Sequence, residues 1–290
     1  MASPPSVIRR FLLWWFAAPD SPWVSANVVI DFSAAQQYLA RLREQPGERV
    51  SVQHLLSGAV GRTLADFPDA NARIIGGKIV YNDSVGVVAP VNLIGHEGGS
   101  KGEVSFAVTQ DVHRCSLREI AAQTRKTVRA ERAGTITSPV SRMVYRMVES
   151  APQAVAARGL DLMAKAMEKR PFAERIYAMT PATTGLTNPG AAIPGQDGLL
   201  FRGGALNIPN KLVHVGTIWG ITPVQDEVIP IDGVPTVRPM LPVLFVFDHR
   251  LIDGVRASQV VSRFYEVLQD PQAIFGDDGL QEGPPVKPPR

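Results

Sequence analysis

The residues best suited by type and spacing to do chemistry lie in Asp248-His249-Arg250-Leu251-Ile252-Asp253-Gly254. They follow an almost wholly apolar run, Leu241–Phe247, of the kind that forms a buried central strand. A helical pattern over Val255–Leu268 comes next. A histidine leaving a core strand can face a cleft while the scaffold fixes it, and an imidazole titrating near neutrality takes and returns a proton. From these residues alone His249 is either a general base or a structural strand-end histidine. Asp253, four residues on, is close enough to hold the turn or a nearby cation, and Gly254 permits a tight backbone turn into the helix. His54, His96, His113 and His214 read as structural or solvated, because no pair has a metal-ligand spacing such as HExxH. No metal is expected. The single cysteine, Cys115, excludes an internal disulfide and a cysteine zinc cage, and it fits a reducing, cytoplasmic compartment.

The elements that must position these residues follow from periodicity. Val28–Phe32 reads as a strand, Ala34–Arg43 as a helix, and Val52, Leu55, Leu56, Ala59, Val60 and Leu64 as one face of a second helix ending near Pro68. Ile74–Tyr81, with Gly76-Gly77 at its centre, reads as a hairpin. Val85–Val91 and Val104–Val108 are strand candidates, and Leu117–Val128 is a helix. From Thr137 to Met179 strand signals stop, and two apolar stripes separated by Pro152 predict a helical hairpin inserted in the α/β domain. Four of the seven methionines lie on those stripes, which serve either as core or as an adaptable contact for ligand or lipid. Val213–Trp219 alternates as a half-buried strand, and Val228–Ile231 and Val234–Val237 flank Asp232-Gly233 as a hairpin. Residues 276–290, rich in glycine and proline, read as a flexible tail.

Composition narrows the classes. The chain has 290 residues, 45% hydrophobic and 20% charged, enough apolar content for a packed core and too much for a disordered chain. No apolar run approaches the roughly 18–20 residues of a membrane span. A net charge of +3 without a recognition motif excludes nucleic acid as the expected partner. The charge is uneven, since Arg114–Arg175 holds 13 Lys/Arg against 6 Asp/Glu. That excess reads as a solvated helical face, or as a field for a phosphate-bearing ligand, an acidic partner or an anionic membrane surface. Residues 1–23 form an apolar and basic segment. Arg9-Arg10 and Phe11–Ala18 imitate a secretory signal, but the run is short, bulky with Trp14 and Trp15, and interrupted by Asp20 and Pro22. A docking or interfacial helix in contact with a membrane surface is the preferred reading of it.

Asp248-His249-Arg250-x-x-Asp253-Gly254 resembles the DHRxxDG signature of the acyltransferase core of 2-oxoacid dehydrogenase complexes, the dihydrolipoamide acyltransferase and chloramphenicol acetyltransferase-like superfamily. The Asp232-Gly233 hairpin, Val237-Arg238-Pro239-Met240, the apolar strand and the following helix come in that family's order, and Phe67-Pro68-x-x-Asn71-Ala72 resembles the end of its early helix. The resemblance covers roughly Ser25–Gly134 and Thr180–Phe275. It implies an α/β chloramphenicol acetyltransferase-like fold, a mixed β-sheet with flanking helices, here with a helical insert at 137–179 inside a catalytic domain of 24–275.

By the same resemblance the chain is a CoA-dependent transferase acting on an acyl thioester and an unidentified acceptor. CoA or acyl-CoA is a substrate, and no covalently attached lipoyl group is expected. His249 matches the general base and Asp253 the residue that holds the site's geometry. Thr183-Thr184-Gly185-Leu186-Thr187-Asn188-Pro189-Gly190 resembles the family's TISNLG segment and puts Thr187 at the hydroxyl that donates to the tetrahedral oxyanion. In a Gly/Pro-rich stretch Thr187 also reads as a turn residue. The family's trimers imply a homotrimer with His249 and Thr187 supplied by different chains. No counterpart of a lipoyl or subunit-binding domain is seen in these residues, which favours acyl transfer over service in a dehydrogenase complex. A non-catalytic trimeric scaffold is the alternative.

Overall fold

A computed structural model describes residues 21–97, 104–189, 199, 202–206 and 214–289. The expected N-terminal helix and most of the expected loop 190–209 lie outside the described residues. Strand β1 (Trp23–Asp31) is followed by helices α1 (Ser33–Glu44) and α2 (Val52–Asp66). Next come the short strands β2 (Arg73–Ile75) and β3 (Lys78–Val80), then β4 (Val87–Asn92), β5 (Val104–Thr109) and helix α3 (Leu117–Arg132). The segment read as a helical hairpin holds three helices: α4 (Pro139–Ser150), α5 (Gln153–Met167) and α6 (Arg170–Met179). Pro171, near the start of α6, sits in a first turn, where its missing N–H costs nothing, so the stripe that ended at Met167 restarts as a separate helix. Then follow β6 (Thr184–Thr187), β7 (Thr217–Ile221), β8 (Gln225–Ile231), β9 (Val234–Asp248), α7 (Gly254–Gln269) and α8 (Pro271–Phe275).

Seven strands make one mixed sheet in the order β1-β9-β7-β6-β4-β5, with β8 also paired to β9; β2 and β3 form a separate ribbon. β4, β6 and β7 are mutually parallel, while β9 runs against β1, β7 and β8. The two runs read as separate strands, Val234–Val237 and Leu241–Phe247, are one 15-residue strand. Its N-terminal half pairs with β8 and its C-terminal half with β1 and β7. The mixed sheet with flanking helices is the fold class that the sequence implies.

Alternate residues of each strand face opposite sides, and only one side is packed. Ile30, Val87, Leu186, Trp219, Val243, Phe245 and Phe247 join α1, α2 and α7 in the main core. The Trp219 ring lies 4.5 Å from that of Phe245 and 4.7 Å from that of Phe264. The insert has its own small core, where Met163, Met167, Ala173 and Ile176 pack on Ile75 of the β2–β3 ribbon.

Residues 276–289 do not behave as the loose tail the composition implies. Gly283 N donates to Arg114 O at 2.9 Å, Lys287 N donates to Ala65 O at 2.8 Å, and Val286 packs against the core. Prolines leave this stretch little conformational freedom to lose on docking, so a few contacts suffice to hold it.

Two histidines read as structural are buried. His54, on α2, accepts the Ser51 N–H at Nδ1 (3.2 Å) as part of a capping box, and burial lowers its pKa to about 4. Burial also lowers that of His113, which is only 1% exposed. Because the folded state resists the proton that the unfolded chain accepts below about pH 6.5, stability is full above that pH and falls as pH drops toward 4. For His54 the loss amounts to about 3 kcal/mol. His54→Gln keeps an acceptor at the capping position and removes the titration. Urea midpoints measured from pH 7 to pH 4 are expected to fall less steeply in this variant than in the parent.

Candidate active site

His249 is the first residue beyond β9. Its backbone N–H donates to Pro22 O at 2.8 Å, and its half-buried ring lies 5.9 Å from the Phe247 ring. Leu251 and Ile252 plug the turn into the core, and both donate backbone N–H bonds to Asp248 O (2.9 and 3.3 Å). The unspecified positions of the motif are therefore its anchors, each worth about 1.5–3 kcal/mol in burial.

The carboxylate of Asp248, 3% exposed, receives the guanidinium of Arg250 on both oxygens, Nη2 at 2.7 Å and Nε at 3.0 and 3.2 Å, together with the Arg250 backbone N–H at 2.9 Å. The residues on either side of His249 thus clamp each other. Such a bidentate pair is geometrically strict, so the backbone that presents the imidazole is rigid. Sequence reasoning missed this clamp, although both residues belong to the motif.

Asp253 is exposed and caps α7, accepting the Arg256 N–H at 2.8 Å. It holds the turn, the first of the two roles its spacing allowed. Gly254 differs from expectation. It is the first residue of α7, needs no positive φ, and a Cβ added there would meet nothing within 4 Å.

Thr187 is the last residue of β6 and so belongs to a strand, where the Gly/Pro-rich sequence also allowed a turn. β6 is short and escaped periodicity because its entry is fixed by polar contacts. Thr183 Oγ1 accepts the Gly86 N–H (3.2 Å), and Thr184 Oγ1 donates to Thr217 O (2.9 Å). Gly86 permits the crossing, since a Cβ there would run into the Pro181 carbonyl oxygen.

By the pairing register, Gly185 and Thr187 share the face with Val88, Ile218, Gly220, Leu244 and Val246, none of which belongs to a core cluster. Thr187 therefore sits on the side of the sheet that the helices leave open.

His249 and Thr187 do not meet within one chain. Thr187 is level with Gly220 and Leu244, two strands from β9, whereas His249 lies five residues beyond Leu244 at the opposite end of the sheet. At about 4.8 Å between strands and 3.3 Å per residue, their backbones are roughly 20 Å apart. No single-chain rearrangement of side chains spans that gap.

These observations were compared with known proteins. Residues 210–276 match the family model described as 2-oxoacid dehydrogenases acyltransferase (catalytic domain). The chain is related to these acyltransferases. It is 23% identical over 252 residues, 86% of its length, to the dihydrolipoyllysine-residue succinyltransferase component of the 2-oxoglutarate dehydrogenase complex of Bartonella vinsonii subsp. berkhoffii. With the Haemophilus influenzae protein of the same name it is 23% identical over 251 residues. It spans about half the length of these relatives, 48% and 47%.

Among solved structures it superposes on the cubic core of the pyruvate dehydrogenase multienzyme complex with a TM-score of 0.62 at 17% identity, covering 94% of this chain and 93% of that one. The dihydrolipoamide acetyltransferase of Azotobacter vinelandii gives 0.61 at 16%, with the same coverage. At these identities the likeness is one of fold. The resemblance read from the motif and its flanking elements is thereby shown.

Other polar constellations are self-contained. A cavity of about 430 Å³ beside α7 is lined by Asp66, Arg256, Arg263, Glu266 and Lys287. Its cations are paired, Arg263 and Lys287 with Asp66, and Arg256 with Asp69. His214 joins Tyr177 Oη (2.9 Å) and Glu168 Oε1 (3.0 Å), tying the insert to the approach to β7. Arg73 stacks 3.6 Å from the Tyr177 ring centroid. Among the described residues no group of three or more His, Cys, Asp or Glu could hold a metal, and no helix is long and apolar enough to cross a membrane.

Proposed function

We propose that the chain is a CoA-dependent acyltransferase that works as a homotrimer, each active site being shared by two copies. The reading rests on the separation of roughly 20 Å between His249 and Thr187 within one chain, with Thr187 on a sheet face that a second copy would roof. His249 removes the proton from the attacking thiol, since a thiolate adds to a thioester far better than a thiol does. The thiolate adds to the thioester carbonyl, and Thr187 of a neighbouring copy donates a hydrogen bond to the resulting oxyanion. The original C–S bond then breaks. The acyl group has moved to the attacking sulfur, and the departing thiolate recovers the proton from the His249 imidazolium. Asp253 supports the geometry by capping α7.

CoA or acyl-CoA is a substrate in this scheme, which needs neither a metal nor a lipoyl group attached to the chain. The names of the relatives make a dihydrolipoyl thiol the first acceptor to try. The reading treats 24–275 as the catalytic domain and the cytoplasm as its location, the latter supported by the lone Cys115 alone.

The test is transfer from acetyl-, butyryl- or succinyl-CoA to dihydrolipoamide, with native mass measured on the same sample. Turnover of at least one ester by a trimer is expected. A trimer that neither turns over an ester nor binds CoA is the scaffold of the alternative reading.

A further inference from the structure

The open sheet face around Thr187 has a chemical character of its own. Across β5, β4, β6, β7, β1 and the 240–248 stretch of β9, the positions sharing Thr187's face carry no lysine, arginine or histidine. The only charged residues among them are acidic, Asp31 and Asp248. The near neighbours are Leu244 and Ile218 on one side and Val88 and Pro90 on the other, with the Phe106 ring, 48% exposed, one strand farther.

Gly220 and Gly185 leave the floor beside Thr187 bare. Its walls are methyl-bearing, since Cβ atoms added at these glycines would meet Leu244 Cβ and Ile218 Cγ1, each at 3.2 Å. The cations that border this side are remote or committed. Arg202, at the β1 edge, pairs with Glu227 at 2.9 Å. Arg238, roughly 20 Å along β9 from Leu244, donates to Ser33 Oγ. Arg250, which a neighbouring copy would bring with its His249, is held by Asp248.

We propose that the acyl group handled beside Thr187 is short and apolar, without a second carboxylate, in contrast to the succinyl group named for the relatives. The inference rests on the acyltransferase reading and specifies its substrate class. A succinyl carboxylate placed on this face loses hydration and finds, among the described residues, no uncommitted cation. An apolar acyl chain loses nothing of the kind and gains contact with Leu244, Ile218 and Val88.

The experiment compares butyryl-CoA with succinyl-CoA as donors to dihydrolipoamide, using the full chain. Butyryl-CoA is expected to exceed succinyl-CoA in kcat/KM by about tenfold or more. Leu244→Arg sets a cation across Gly220 from Thr187 and is expected to move the ratio toward succinyl by a similar factor. Equal or preferred use of succinyl-CoA by the parent chain overturns the substrate class and leaves the acyltransferase reading standing. An unmoved ratio in Leu244→Arg also overturns it. Failure to turn over any CoA ester overturns the acyltransferase reading, and the substrate class with it.

Discussion

Replacing His249 by alanine lowers kcat/KM for acyl transfer by about 10²–10⁴-fold, the range usual for loss of a positioned general base, while native mass and circular dichroism stay unchanged. The structure gives a reason to expect that separation of effects. The turn is held by Leu251, Ile252, the Asp248–Arg250 clamp and the bond from the His249 backbone N–H to Pro22 O. None of these uses the imidazole. The check is steady-state transfer beside thermal unfolding. A loss of activity accompanied by an equal loss of folded protein would return His249 to the structural role that its strand-end position also allowed.

The second large effect comes from mixing. Thr187→Ala is expected to cost about 10²–10³-fold in kcat, as removal of an oxyanion donor does, so each single variant is nearly inactive. Co-expressed, the two variants assemble at random. A competent site needs His249 from one copy and Thr187 from its neighbour, which arises at about a quarter of the interfaces of a cyclic assembly. Activity near a quarter of the parent's is the expected result. If both residues served one site within one chain, no mixture would recover anything. Recovery is therefore a direct reading of the 20 Å gap, which no change in side-chain rotamer closes.

Most of what positions His249 was legible in the sequence, because it rests on patterns with few physical alternatives. A seven-residue apolar run ending in polar residues and followed by a 3.6-period helix has one economical folding. The Asp232-Gly233 turn is as direct, with Asp232 and Gly233 both at positive φ as a type I′ turn requires. Legibility failed where polar contacts or proline outweighed periodicity. β6 carries only four residues, anchored by threonine hydroxyls and by the absence of a side chain at Gly86, and no hydrophobic rhythm reports such bonds. β9 runs through Pro235, Pro239 and Pro242, which read as interruptions in a sequence. The register shows each as a paired position in an unbroken strand. The C-terminal stretch was misjudged because glycine and proline report local freedom, whereas its placement depends on partners at Ala65 and Arg114. The open face of the sheet was invisible for a different reason. Alternation tells which residues share a side, but which side the helices choose is decided by connections longer than any sequence window.

The pairing of β1 with β9 has a consequence for how the chain comes to be folded. The residues brought together, Trp23 with Asp248 and Asp31 with Met240, are separated by more than two hundred positions. A ribosome releases β1 among the first segments and its only sheet partner nearly last. During synthesis β1 waits as an unpaired edge, and closure of the sheet is a late, slow event governed by loop entropy. Such a chain is vulnerable to edge-to-edge association while it waits. The strand that delivers His249 to its place is also the one that ends the wait.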